Sequence, residues 1–328
     1  MTAIHVPNAP DIPGLHFRTY AGEADIPEMA RVMNAATGAN GSPEFQPEEL
    51  VRNELEHASS TDPHQDVVLG FVGNELITVS YATFEDANEG MRHYQSYAYV
   101  HPAWRRLGLG GALLPRTEER LREIAARHEQ PAPPLLVTWT DGPDVGARKL
   151  VETHSYRDVR TYHYMVRPDL EGIAAPEPPD GITIRSVGRD ELRKVWAAMS
   201  EAFRDHFGAM DTSEAALQGW INSPRMNPDG MICAFDGDEV VAGVQAVITP
   251  GESEARGYLR GWTDPVFTRR AWRRRGLAFA CLGRALQVLR DWGMTSAQLG
   301  VDTENPSDAL TLYRKHRFES TYTETEWH

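Results

Sequence analysis

What most limits the folds open to this chain is that its pattern of residues occurs twice. Gly14-Leu15-His16-Phe17-Arg18 opens one half and Gly181-Ile182-Thr183-Ile184-Arg185 opens the other. Each reads as a short alternating strand followed by a helical stretch, Ile26 to Ala36 and Glu191 to Phe203. Val68-Leu69-Gly70-Phe71-Val72-Gly73-Asn74-Glu75-Leu76 then parallels Ile232-Cys233-Ala234-Phe235-Asp236-Gly237-Asp238-Glu239-Val240. Both read as strand, two-residue turn, strand, with Gly73-Asn74 and Gly237-Asp238 as the turn pairs. Trp104-Arg105-Arg106-Leu107-Gly108-Leu109-Gly110 finally matches Trp272-Arg273-Arg274-Arg275-Gly276-Leu277-Ala278. A duplication is the simplest account, and 328 residues suit two domains at roughly 100–200 residues each.

The stretch 167–180 holds Pro168, Pro176, Pro178 and Pro179, which deny it both helix and inner strand. It is therefore expected to be a linker between an N-terminal domain, 1–166, and a C-terminal one, 181–328. Within each half the order is strand, helix, strands, helix, strand, helix, strand. The expected class is α/β (α+β): two tandem domains, each a mixed, mostly antiparallel sheet flanked by helices.

The net charge of −14 argues against a nucleic-acid partner, which would want a basic face, and is compatible with a cationic substrate. No apolar run approaches the ~18 residues of a membrane span. The start, Met1 to Pro13, lacks the basic and apolar regions of a signal peptide. Cys233 and Cys281 are too few for a disulfide framework, and neither has His or Cys neighbours at metal-ligand spacing. The histidines, His154, His163 and His316 among them, lack such spacing too, so no metal is expected. The reading is a reduced, cytoplasmic enzyme.

In each half a strand, Tyr97 to His101 or Val266 to Thr268, enters an Arg-rich turn that opens a long helix, Gly110 to Arg127 or Leu277 to Trp292. The turns supply Arg105-x-x-Gly108-x-Gly110 and Arg273-x-x-Gly276-x-Ala278. Small residues let a ligand approach the main chain, and the free N–H groups of a helix's first turn suit a pyrophosphate. Flanking arginines, Arg106, Arg274 and Arg275 with Arg269 and Arg270, add positive charge for phosphates. Such a turn is a weak signal alone and a strong one when it recurs at matched places.

This pattern resembles the acetyl-CoA signature of the GNAT superfamily of N-acetyltransferases. The second half adds a stretch similar to the family's later element, Asn305-x-x-x-Ala309-x-x-x-Tyr313-x-x-x-Arg317-Phe318 after the strand at Leu299 to Asp302. Arg317 stands where the family usually has Gly, a place that calls for positive φ at a helix end. The resemblance implies that Val266, Phe267 and Thr268 offer main-chain groups to the pantetheine arm. It implies that Arg273, Arg274, Arg275, Gly276, Leu277 and Ala278 cradle the pyrophosphate, and that Asn305 touches the pantetheine. In the first half Val100, Arg105, Arg106, Gly108, Leu109 and Gly110 take the corresponding places. Tyr313 would then give a proton to the departing CoA thiolate, after direct attack by a neutral amine on the thioester. Asp264, beside Pro265 and a bulge expected there, is the candidate base, with Asp302 and Glu304 as weaker alternatives.

The halves are unequal. With Tyr156 aligned on Phe318, Val151 stands where Tyr313 is, Pro143 where Asn305 is and Ser155 where Arg317 is. The first half keeps a cradle and lacks the acid, and His101 of its cofactor strand reads as structural. The expected function is acetyl transfer from acetyl-CoA to a primary amine of a small molecule, catalysed by the second half. The tandem layout is also similar to that of the mycothiol synthases, which makes an amino-sugar thiol precursor the alternative acceptor. A non-catalytic acyl-CoA sensor is the third reading, which an intact Asn305 and Tyr313 oppose. The loops Phe207 to Pro228 and Asn34 to Pro47 are where an acceptor pocket is expected. Nothing in the sequence separates a monomer from a homodimer.

Overall fold

The computed structural model describes all residues except 1–2, 87–91, 129–133, 205–206, 208–209 and 305–308. Its strands are β1 (Ala3–Ile4), β2 (Leu15–Thr19), β3 (Val67–Val72), β4 (Glu75–Asp86), β5 (Arg92–Val100), β6 (Leu135–Asp141), β7 (Asp158–Arg167), β8 (Ile182–Ser186), β9 (Met231–Asp236), β10 (Glu239–Val247), β11 (Arg260–Thr268), β12 (Ser296–Asp302) and β13 (Glu319–Trp327). The α-helices are α1 (Ile26–Ala39), α2 (Glu48–Glu56), α3 (Pro63–Asp66), α4 (Leu109–Ala125), α5 (Val145–Thr153), α6 (Leu192–Phe203), α7 (Glu214–Asn222), α8 (Glu252–Arg256), α9 (Leu277–Asp291) and α10 (Ala309–Lys315). The mixed, mostly antiparallel sheets and flanking helices are the class expected from the sequence.

The chain divides into two compact units, Met1–Thr161 with Tyr322–His328, and Tyr162–Thr321. In the first, β1 to β5 pair antiparallel in succession, β5 lies parallel to β6, and β13 closes the order antiparallel on β6. In the second, β8 to β11 pair antiparallel, β11 lies parallel to β12, and β7 closes antiparallel on β12. The plan is the same twice, but each unit takes its last strand from the other half of the sequence. The boundaries drawn from sequence kept 162–166 with the first half and 322–328 with the second. Alternation alone describes a strand and is blind to which of two similar sheets receives it.

The second unit shows why its sequence folds this way. On β9, Met231, Cys233 and Phe235 face a core shared with Leu192, Val195 and Met199 of α6. Ile232 and Ala234 face the other core, built on α9 and α10. A strand covered on both faces reads as one apolar run rather than as an alternation. On α9 the buried Leu277, Cys281, Ala285 and Leu289 fall four residues apart, one face of a helix. Fully burying one such leucine contributes about 1.5–3 kcal/mol. Both cysteines are free and buried, and burial pushes the Cys281 thiol up to about 12.

The proline-rich stretch is no loose tether. Leu170 is buried in the α9 core. Arg167, buried too, donates to the carbonyls of Asp169 (2.7 Å), His316 (2.8 Å) and Glu171 (2.5 Å). A Cβ on Gly283 of α9 would stand 2.2 Å from the Ala174 carbonyl, so only glycine lets the stretch cross there.

Candidate functional site

Each unit builds the same phosphate cradle. After β11 comes a short 3₁₀ turn, Arg270–Trp272, and then the start of α9; after β5 the turn is Pro102–Trp104, and α4 follows. Between turn and helix the backbone alternates into the left-handed region, with φ of 65° at Arg274 and 79° at Gly276, and 66° at Arg106 and 90° at Gly108. Such alternation points successive N–H groups into one concavity, a nest for anions. Neither helix has a side-chain cap at Gly276 or Gly108, so the first-turn N–H groups face outward for a ligand. A Cβ on Gly276 would meet nothing within 4 Å, which fits a cradle that a ligand fills.

The arginines divide into fasteners and free charges, which corrects the reading of the whole run as a clamp. Arg273 Nε donates to the Thr268 carbonyl (3.1 Å) and Nη2 to the Ala202 carbonyl of α6 (3.2 Å). Arg105 repeats this with Val100 (3.2 Å) and Ala36 of α1 (2.7 Å). Both therefore tie the cradle to the preceding strand and to a helix, instead of reaching for phosphate. Arg269 pairs with Glu201 and Glu239 and lies over Trp272. Arg274 and Arg275 stay exposed beside the cradle. Sequence spacing cannot tell these apart, because the carbonyls that bind the fasteners lie on other elements.

The strand before the cradle is splayed. β11 and β12 pair from Arg260–Ser296 to Trp262–Gln298, and the pairing stops there. Val266, Phe267 and Thr268 pair with Val244, Gly243 and Ala242 of β10. Their β12 side is left for an extended arm, among the described residues. The bulge expected at Pro265 is present: between the pairs Val244–Val266 and Ala246–Thr263, β11 carries one residue more than β10. It contains the exposed Asp264, joined to Pro265 by a cis peptide bond.

Tyr313 of α10 is 6% exposed, and its ring meets Phe318 edge-on at 6.2 Å. Burial first, and then the charge of Asp264, raises the pKa of this phenol above its ordinary value. The charge of one residue singled out for proton transfer thus bears on the other. Leu277 is buried under the cradle and Ala278 half-buried beside it. Asn305 lies outside the described residues. Asp302 is buried and accepts from the Glu304 N–H at 2.9 Å, which commits it to its own turn, while Glu304 is exposed.

The first unit differs at the same places. Val151 packs with Leu114, Tyr156 and Trp327, so an apolar side chain sits where the second unit has its phenol. β5 and β6 also part beyond Ser96–Thr138, but here the ends are bridged. Arg105 Nη1 donates to Asn40 Oδ1 (2.7 Å), Asn40 Nδ2 donates to Asp141 at the end of β6, and Arg105 also lies 3.9 Å from Asp144. Asn40 and Asp141 had no motif to mark them, being drawn together only by the fold.

Residues 195–318 match the profile of the Acetyltransferase (GNAT) family. Over 314 residues the chain is 28% identical to a mycothiol acetyltransferase of Geodermatophilus obscurus, covering 93% of this chain and 94% of that one. It is also 28% identical over 303 residues to a mycothiol acetyltransferase of Salinispora tropica, with 90% and 89% covered. A GCN5-related N-acetyltransferase from Sphaerobacter thermophilus superposes with a TM-score of 0.72 at 27% identity, over 97% of this chain and 95% of that one. A tandem GNAT protein from the clavulanic acid pathway shares the fold, with a TM-score of 0.69 at 17% identity over 95% and 97%.

Proposed function

We propose, from the premise that the chain is an acetyltransferase of the GNAT family, that its second unit moves acetyl from acetyl-CoA to a primary amine. The observation that carries this is the Arg274–Gly276 nest at the start of α9, set behind the splay between β11 and β12, with the charge of Asp264 bearing on Tyr313. The nest and the first turn of α9 take the pyrophosphate, with Arg274 and Arg275 alongside. The β12 side of Val266–Thr268 takes the pantetheine arm as a strand would, which leads the thioester toward Tyr313.

The amine's lone pair adds to the thioester carbonyl carbon, the C–S bond breaks, and its electron pair leaves on sulfur. One proton must leave the nitrogen and one must reach the sulfur. Tyr313, its pKa raised, holds its proton through the working range and hydrogen-bonds the developing thiolate. Full transfer runs uphill, since an ordinary thiol has a pKa of only ~8.5. The phenol therefore passes its proton to the sulfur only as it takes up the one that the amine sheds, and the Asp264 carboxylate is the group that carries that proton between them in this reading. The first unit, with Val151 in place of a phenol and its opening bridged by Arg105, Asn40 and Asp141, serves as a non-catalytic companion.

For the acceptor, the long similarity to mycothiol acetyltransferases supports the amine of an amino-sugar thiol precursor. Acceptor amines are tested by following CoA thiol release from acetyl-CoA across a panel that includes this precursor. The precursor should give the highest kcat/KM. A higher kcat/KM with a different amine would overturn the acceptor alone, and no thiol release with any amine would overturn acetyl transfer itself.

A further inference from the structure

Glu326 lies in β13 and His328 one residue past its end, where His328 N–H still donates to the Arg157 carbonyl, so the extended chain turns the two to one face. His93 comes from β5. β6 runs between, pairing through Thr138 with Ser96 on one side and with Trp327 on the other. Across it, one ligating atom from each of His93, Glu326 and His328 lies within 4.8 Å of the other two. His93 and Glu326 are 3% and 2% exposed. His328 Nε2 stands 2.6 Å from Glu326 Oε1, and the two imidazoles meet edge-on with centroids 5.4 Å apart. All three belong to the first unit and none has a part in the proposed acetyl transfer.

We propose that His93, Glu326 and His328 bind a zinc ion that fastens the borrowed strand β13 to β5. Two imidazoles and one carboxylate are a zinc donor set, with bonds of about 2.0–2.2 Å and a fourth position left for water. Ligand atoms around such an ion stand roughly 3–3.6 Å apart, which small rotations of these side chains reach. A histidine–carboxylate hydrogen bond accounts for Glu326 and His328 as a pair. His93 adds a second, buried imidazole edge-on to the same pair, and a zinc ion would replace the proton that Glu326 and His328 share and take His93 as its third ligand.

The consequence is structural. β13 lies far along the chain from the rest of the unit it completes, and joining it to β5 closes a very long loop. Metal binding to the folded state alone then adds to stability by mass action.

The test uses the full chain, stripped with a chelator and dialysed against zinc. Wild type should retain one equivalent and melt higher with zinc than with chelator, while His93→Gln and Glu326→Gln should each lose that equivalent and the shift. His154→Gln, a histidine away from the cluster, should keep both. Cobalt loading of wild type gives a check that needs no variant: nitrogen and oxygen ligation without a sulfur charge-transfer band is expected. Wild type without a retained equivalent, retention in both His93→Gln and Glu326→Gln, or a sulfur band from Cys233 or Cys281 would each overturn the site.

Discussion

The Asp264 carboxylate lies close enough to the Tyr313 hydroxyl for its charge to help hold the phenol's proton in place. This adjacency gives the sharpest test of the site. Tyr313→Phe keeps the ring that meets Phe318 and removes only the hydroxyl. Proton transfer by a placed side chain is typically worth on the order of 10²–10⁴-fold, so kcat should fall by about that much. Acetyl-CoA affinity, read by calorimetry, should hardly move, because the hydroxyl acts on charge that develops at the transition state. An unchanged kcat would leave Tyr313 as a packing residue.

Gly276→Val tests the cradle. The residue has φ of 79°, and its Cβ would point into the open space of the nest. A β-branched residue there carries a left-handed strain of roughly 1–2 kcal/mol and puts methyl groups where the pyrophosphate is proposed to sit. Acetyl-CoA binding should weaken severely while the circular dichroism spectrum is kept. Gly108→Val, in the bridged first unit, should leave turnover intact. The reverse pattern would move the active cradle to the first unit.

Much of this was legible in the sequence for a physical reason: periodicity and turn chemistry are local. The duplicated strands, the helix start at Leu277, that at Gly110 (one residue past the actual start at Leu109) and the bulge at Pro265 each depend on neighbours in the chain. What sequence could not give depends on long-range partners. Arg105 and Arg273 read as phosphate ligands until the carbonyls of Ala36 and Ala202 are seen to bind them. The placing of β7 on β12 and of β13 on β6 is a choice between two nearly equivalent sheet edges, which alternation does not encode. His93 lies far from Glu326 and His328 in the chain, with no spacing to mark the three, and only the fold brings them together across three strands.

A pH dependence follows from His316. Its ring stacks on Phe279 with centroids 4.0 Å apart, and Nε2 donates to the Phe279 carbonyl at 3.0 Å. Nδ1 is buried with no hydrogen-bond partner among the described residues, so protonation would place a charge where none of them receives it. Burial accordingly lowers the pKa to about 4, with nearby Arg167 pushing the same way. Below the unfolded value of ~6.5 the unfolded chain binds the proton first, so stability falls as pH drops from there toward 4. The loss amounts to as much as about 3 kcal/mol at the acid end. Urea midpoints of wild type should decline over that window, and those of His316→Gln should decline less. Parallel curves would remove His316 from the acid limb.

The helix ends at Ser155 and Arg317 carry the last prediction. Both residues adopt the left-handed conformation that closes a helix, with φ of 69° and 64°. In each case the following aromatic N–H, of Tyr156 or Phe318, returns to a carbonyl of the last turn, that of Val151 or Tyr313, at 3.1 and 3.0 Å. The turn is set by these bonds and by the burial of the two aromatics, so a residue with a Cβ bears the strain. Left-handed backbone costs a residue with a Cβ about 1–2 kcal/mol, of which glycine's greater freedom when unfolded gives back roughly 0.5–1. Ser155 is exposed, and no hydrogen bond of its side chain is found among the described residues. Ser155→Gly should therefore stabilise the protein by about 0.5–1 kcal/mol. Arg317→Gly relieves the same strain but gives up the bonds of Arg317 to Asp169 at 2.7 and 3.1 Å, so its gain should be smaller or absent. Chemical denaturation of the two variants side by side checks the order. A larger gain at 317 would mean that the Asp169 pair does nothing for the fold, and a loss at 155 would mean that strain is not what the serine bears.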